Sequence, residues 1–386
     1  MFQPVKNPFS KYADKLERKV NRLLKRVTTK SRFFIQKELE KIMQKNLVIT
    51  NLWLEKQFKG YKYLRKGKRK KMHKNTQIIV NHFNEFVEKT NADPGKVLEY
   101  ARSKNFQLTN PDAKERLIYL YKIAQFLQPN RYYQYLEGAS FGKLLTNITH
   151  EPMIGDCNQI VTFYTYLYSL KYPIRELQIK ILPKHVCLHY NGMDIEATNA
   201  TFQHYEEYEA LLSIVELIST NLLDTSDFRD KQLQIDARTF INGAKLAKHI
   251  SSMTQIVDKN LKVAYHNLAL ETAKQHNFSS ATFFADKIHD PDLTKYIYQK
   301  AVTHFTKKHN FRKAKYFANK SRDRELMKHV YAMQFNQIQK KVKHLKKASE
   351  HKSHIKDYKK MRDLAGKMGD TKLRSDLNKF IGSLPK

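Results

Sequence analysis

Cys157, His185 and Glu196 are the residues of this chain whose types and spacing can do covalent chemistry together. A thiolate attacks carbonyl carbons, an imidazole takes a proton and returns it, and a carboxylate fixes the imidazole tautomer and stabilises its cation. All three fall in one stretch, Gly155 to Thr198, which also holds both cysteines, Cys157 and Cys187. Cys157 follows Gly155-Asp156 and precedes Ile160, Val161, Phe163, Tyr164, Leu167 and Tyr168, spaced as on a mostly buried helix. That spacing puts Cys157 in the first helical turn, where unpaired N–H groups and the positive end of the helix dipole favour a thiolate. A cysteine so placed is more often packed than reactive, so the argument rests on the other two residues.

Asn191-Gly192 brings those two together. This dipeptide is the strongest two-residue hairpin signal, and it pairs Tyr190 with Met193, His189 with Asp194, Leu188 with Ile195 and Cys187 with Glu196. Strand side chains alternate, so His185, Cys187 and His189 share a face with Asp194, Glu196 and Thr198. Val186, Leu188, Tyr190, Met193, Ile195 and Ala197 form the opposite, apolar face, which is the core side. His185 and Glu196 are diagonal, with Cβ atoms roughly 5–7 Å apart, within reach of a long carboxylate side chain. His189 and Asp194 lie directly opposite beside the turn and read as a surface ion pair. The two histidines are about 13 Å apart along the strand, too far for one zinc. No metal and no other cofactor is expected.

Gly155-Asp156-Cys157, then His185-Val186-Cys187-Leu188, then Ile195-Glu196-Ala197-Thr198-Asn199 resemble the transglutaminase-like superfamily of papain-type cysteine enzymes. In that family a Cys opens a helix after a Gly-containing turn, a His starts a strand, and an Asp ends the next strand. Glu196 stands where Asp is usual; the longer carboxylate can do the same orienting job. Cys187 stands where Trp is frequent, either as an inert packed thiol or as a redox partner for Cys157. The resemblance implies an α+β core of helices packed on a small antiparallel sheet. It also implies acyl transfer on an amide or peptide bond, with Cys157 as nucleophile, His185 as base and Glu196 orienting His185. The substrate would then be a protein or peptide. Hydrolysis is favoured over cross-linking because water is always at hand.

The 386 residues are enough for two or three domains. Three follow from the pattern: a basic helical segment over 1–75, the transglutaminase-like core over 76–240, and an α-helical repeat region over 255–386. In the first, Val20, Leu23, Leu24 and Val27, then Phe34, Ile35, Leu39, Ile42 and Met43, predict amphipathic helices with basic polar faces. Its densest cluster, Lys62 to Lys74, reads equally as an anion-binding arm or as a solvated linker. Asp93-Pro94 and Asn110-Pro111-Asp112 start further helices, and Ser140 to Leu145 forms a short one. Leu177 to Leu182 alternates as a strand, and Ala200 to about Ile256 returns to helix with an excess of acids.

From about Asn260 an internal repeat begins. Lys274–Tyr298 aligns without gaps on Lys307–Tyr331, and a weaker copy starts at Asp357. The period of about 33 residues resembles tetratricopeptide-type repeats, and a generic α-α solenoid fits equally. Such repeats bind protein partners or serve as a packing platform.

The formal net charge of +34 predicts attraction to a polyanion, nucleic acid or an anionic membrane surface, through the basic segments. Two cysteines exclude a disulfide framework, and no CxxC pair offers a structural zinc site. The N-terminus lacks a signal peptide's apolar core, and no run of about 18 apolar residues is present. A cytoplasmic, reducing location is the expectation. The same features also fit a second class of protein, an inactive core that binds through basic arms and repeats.

Overall fold

The computed structural model describes residues 10–90, 94–104, 106, 111–129, 133–137, 140–146, 153–224 and 235–384. The expected helix starts at Asp93 and Asn110 lie outside these residues. The chain divides into two compact units, Met1–Leu261 and Lys262–Lys386.

The first unit is α+β. Its helices are α1 (Lys15–Leu24), α2 (Arg32–Leu54), α3 (Lys66–Lys89), α4 (Gly95–Ser103), α5 (Pro111–Phe126), α6 (Phe141–Leu144), α7 (Cys157–Ser169), α8 (Leu217–Leu223) and α9 (Ala237–Ile250), followed by the start of α10 (Thr254–Lys274). Two short parallel strands, β1 (Tyr133–Tyr135) and β2 (Met153–Gly155), lead into α7. The main sheet is antiparallel and holds β3 (Gln178–Leu182), β4 (His185–Tyr190), β5 (Met193–Glu196), β6 (Thr201–Gln203) and β7 (Ala210–Ser213), in the order β6-β5-β4-β3-β7.

The expectation of helix from Ala200 onward is corrected by β6 and β7, which flank the sheet before α8 begins. Each has only three or four residues, too few for a period-two pattern to show, and pairing with β5 and β3 decides their conformation. The basic helical segment over 1–75 lies in the first unit. Val20, Leu39, Leu47 and Leu52 of α1 and α2 share one core with Ile160, Phe163 and Leu167 of α7 and with Val186, Leu188 and Ile195 of the sheet. A stripe of apolar residues on a basic helix still has to be buried, and here it closes the core that carries Cys157.

Arg69, in the basic run from Lys62 to Lys74, is consumed by the fold rather than offered to a ligand. It is 1% exposed and donates to both carboxylate oxygens of Glu17, at 2.7 and 2.9 Å. It also donates to the carbonyls of Leu64 and Lys11. From Lys66 onward the run forms the first turns of α3, and Lys62, Arg65, Lys68, Lys70, Lys71 and Lys74 are exposed.

The second unit holds the rest of α10 and helices α11 (Phe278–Asp286), α12 (Pro291–Lys307), α13 (Phe311–Ser321), α14 (Arg324–Val342), α15 (Ala348–Ser353), α16 (Ile355–Met368) and α17 (Thr371–Ser383). Ala281, Ala285, Ala301, Ala314 and Ala318 are fully or almost fully buried, small side chains that let neighbouring helices pack closely. Asn277 and Asn310 cap α11 and α13 with nearly the same backbone angles. The residue before each, His276 or His309, is left-handed and closes the preceding helix. The next amide in each case, of Asn277 or Asn310, donates five residues back, to Thr272 or Phe305. Asp290, Asp323 and Asp370 cap α12, α14 and α17 alike. Among the described residues no helix is long and apolar enough to cross a membrane.

Candidate active site

Asp156 sets where α7 starts. Its side chain accepts from the Asn158 amide at 3.0 Å, and the Gln159 side chain accepts from the Asp156 amide at 2.9 Å, a reciprocal capping box. Gly155 beside it lets the chain pass closely, since a Cβ there would lie 2.9 Å from the Leu144 side chain and 3.2 Å from that of Gln159, and Leu144 would have to shift. Cys157 is thus the first helical residue, 8% exposed, with its thiol unbridged.

The β4–β5 hairpin has the register that Asn191-Gly192 dictates: Leu188 opposite Ile195, His189 opposite Asp194 and Tyr190 opposite Met193. Both turn residues have positive φ, 47° and 87°, as a turn of this twist needs. Pro183-Lys184 makes the preceding turn, and Lys184 also has positive φ, so His185 opens β4 directly after a tight reversal.

His185 joins the other two residues. Its Nε2 lies 2.6 Å from Glu196 Oε2, and it lines one cavity with Cys157. Interaction with the Cys157 side chain first, and with Glu196 second, outweighs burial and raises the imidazole pKa to about 10. Burial alone would raise the Glu196 pKa, but bonds from His185 and Thr198 reverse the direction and hold it below the ordinary carboxylate value. Its Oε1 accepts from the Thr198 amide at 3.1 Å and from the Thr198 hydroxyl. Its Oε2 also accepts from the Tyr205 hydroxyl at 3.1 Å.

Sequence reasoning missed Tyr205. It lies beyond β6, and its backbone N–H donates to Asp194 Oδ2 at 2.7 Å, a link no local pattern reveals. A meander of three strands would have been the signal, since Asp194 pairs with Gln203 and Glu196 with Thr201.

His189 and Asp194 are not the expected surface pair. Asp194 is fully buried and His189 is 8% exposed, and the loop after β6 reaches this cluster through Tyr205, whose amide donates to Asp194 and whose carbonyl accepts from Lys180. Lys180 of β3 reaches Asp194 Oδ2 at 2.7 Å, also buried. His189 Nε2 accepts from the Gly192 amide at 3.1 Å, so Nδ1 carries the proton donated to Asp194 at 2.6 Å. This cluster pins the hairpin beneath the His185–Glu196 pair. Cys187 is fully buried, and burial pushes its thiol well above the ordinary range, which keeps it protonated.

Cys157 and His185 open into a cavity of about 310 Å³. Leu182, Leu212, Leu223, Met253 and Val257 give it apolar walls, and Asn158, Lys184, Glu209, Asp224 and Asn260 give it polar edges. Buried Glu216 holds the Ser251–Met253 wall by accepting from the amide and hydroxyl of Ser252, at 2.7 and 2.9 Å.

A buried ionic cluster lies behind α7. A π-helical turn, Glu55–Lys59, extends α2 and ends at Gly60 with φ 72°. It turns Glu55 toward the amides of Phe141 and Gly142, at 2.7 and 3.0 Å, and Lys59 toward Asp224 at 3.7 Å. Burial, with the Asp224 charge added, pushes the Asp156 carboxyl up to about 7; burial does the same to Glu55.

The His185 shift has a measurable consequence for stability. The folded chain keeps the imidazole proton up to about pH 10, whereas the unfolded chain loses it near 6.5. The stabilisation is therefore complete below pH 6.5 and is lost as pH rises through 10. The Tm difference between the native protein and His185→Gln should shrink steadily across that window. A gap that stays constant or widens with pH would contradict this assignment.

Comparison of the chain with protein-family models, with curated proteins and with solved structures gives no match.

Proposed function

We propose that this protein is a thiol-dependent acyl-transfer enzyme acting on amide or peptide bonds, and a hydrolase rather than a cross-linking enzyme. One observation carries the reading: His185 holds the buried Glu196 carboxylate at 2.6 Å and lines the same cavity as Cys157, with which its imidazole interacts. The order of the three residues and their resemblance to the transglutaminase-like core support it.

In the reaction, Cys157 Sγ, paired as a thiolate with the His185 imidazolium, attacks the carbonyl carbon, forming the C–S bond. The backbone N–H of Cys157 donates to the oxyanion of the tetrahedral intermediate. The C–N bond then breaks, and the imidazolium delivers its proton to the departing nitrogen. Water attacks the resulting thioester while His185 takes its proton; the C–S bond breaks, the acid leaves, and the thiolate–imidazolium pair is restored. Glu196 keeps the ring aligned throughout, and Thr198 and Tyr205 keep Glu196 aligned. The apolar walls suit a substrate side chain of the Leu or Met type beside the scissile bond.

The helical second unit, similar in period to tetratricopeptide-type repeats, is read as the part that holds partners.

A peptidyl vinyl sulfone with leucine next to the electrophile tests the proposal, because its sulfone-activated alkene needs an aligned thiolate and a proton donor. One equivalent should add to Cys157, and labelling should fall at least tenfold in Tyr205→Phe plus Glu196→Gln and vanish in His185→Ala. Labelling of Cys187, or unchanged labelling without His185, would overturn it.

A further inference from the structure

The second unit carries a cavity that the acyl-transfer reading does not use. It measures about 380 Å³ and lies between the end of α10, the His276 turn and one face of α12. Its charged lining is one-sided: Lys274, Lys300 and Lys307 with His276 and His304, and among the described residues that line it there is no carboxylate. That asymmetry sits within a unit in which Lys and Arg outnumber Asp and Glu by more than two to one.

Helical spacing makes the arrangement. Tyr296, Lys300 and His304 recur every four residues along α12 and therefore share one face, with Lys307 one turn further. On the opposite wall, the left-handed turn at His276 places its ring 4.0 Å from that of His304, tilted by 30°. Three ammonium groups line the cavity beside the paired imidazoles, a concentration of positive charge that an anion would relieve. Tyr296 is 45% exposed, and Lys300 stands 5.2 Å from its ring centre. An exposed flat ring beside a row of cations is how single strands are held: phosphates on the lysines, a base on the aromatic face.

We infer that the cavity between α10 and α12 binds single-stranded nucleic acid, with Lys274, Lys300 and Lys307 on successive phosphates and Tyr296 stacked on a base. A membrane surface fits less well, because a bilayer meets flat or convex cationic patches and cannot enter a concave one. The inference is independent of the Cys157 chemistry.

The test uses the full-length Cys157→Ser protein and short fluorescent oligonucleotides of mixed sequence, as RNA and as DNA, alongside phosphatidylserine vesicles. Binding should be tighter for single strands than for duplex of the same sequence. Replacing Lys274, Lys300 and Lys307 together by Gln should weaken it by about tenfold or more and lower the salt-dependence slope by roughly two. Replacing exposed Lys340, Lys343 and Lys359 by Gln removes the same charge elsewhere and should have a small effect. Tyr296→Ala changes no charge and should weaken binding by about fivefold or more. Tighter binding to RNA or to DNA tells which strand is the ligand.

Equal losses in the two triple variants would reduce the site to general electrostatics and overturn the inference. So would full affinity in Tyr296→Ala, or binding to vesicles without binding to oligonucleotides. Matched melting temperatures for all variants separate lost binding from lost fold.

Discussion

Near pH 6.5, iodoacetamide is expected to alkylate Cys157 about tenfold faster than an unperturbed thiol, and His185→Ala to abolish that advantage. The advantage follows from the pairing: an imidazolium beside the sulfur favours the thiolate, which is the nucleophilic form. That imidazolium is His185, whose proton is held to about pH 10 by Cys157 and Glu196. Cys187, fully buried and with its thiol pushed up, should react far more slowly than either. Peptide mapping after brief exposure reads both sites at once. Equal, slow modification of the two cysteines would remove the thiolate–imidazolium pair, and with it the proposed nucleophile.

The second large effect is structural. Arg69→Met is expected to destabilise the first unit by about 3–5 kcal/mol, because it leaves a buried carboxylate without its cation. Glu17 is fully buried, and without Arg69 its remaining donor is the Ala13 amide at 2.6 Å, with His73 at 4.0 Å. For a unit of this size that loss lowers Tm by roughly 10 °C. Adding Glu17→Leu should restore most of it, since the penalty comes from the stranded charge rather than from the missing contact. The check is a denaturant midpoint for native, single and double variants. A single variant as stable as the native protein would return Arg69 to the pool of cations free for a ligand.

Arg69 also shows why a sequence is read too generously for ligand binding. Within Lys62–Lys74 every basic residue looks alike, and only burial singles out one that serves the fold. His189 and Asp194 mislead in the opposite direction. Their place beside a turn suggests solvent, yet Lys180 and the Tyr205 amide reach Asp194 and both residues are buried.

The short-range features were legible in the chain itself. Gly155-Asp156 before an apolar run marked the start of α7, and Asn191-Gly192 fixed the hairpin register. Each is settled by residues a few positions apart, through steric limits on φ and hydrogen bonds within one turn. The juxtaposition of Cys157 with the hairpin was reached only through resemblance, because no local rule connects residues 28 and 39 positions apart. Tertiary structure alone decided that α1 and α2 complete the core around Cys157, that β6 and β7 extend the sheet, and that Tyr205 supports Glu196. Those facts depend on which surfaces exclude water from one another. Burial of that kind is a property of the packed chain, and residue order does not carry it.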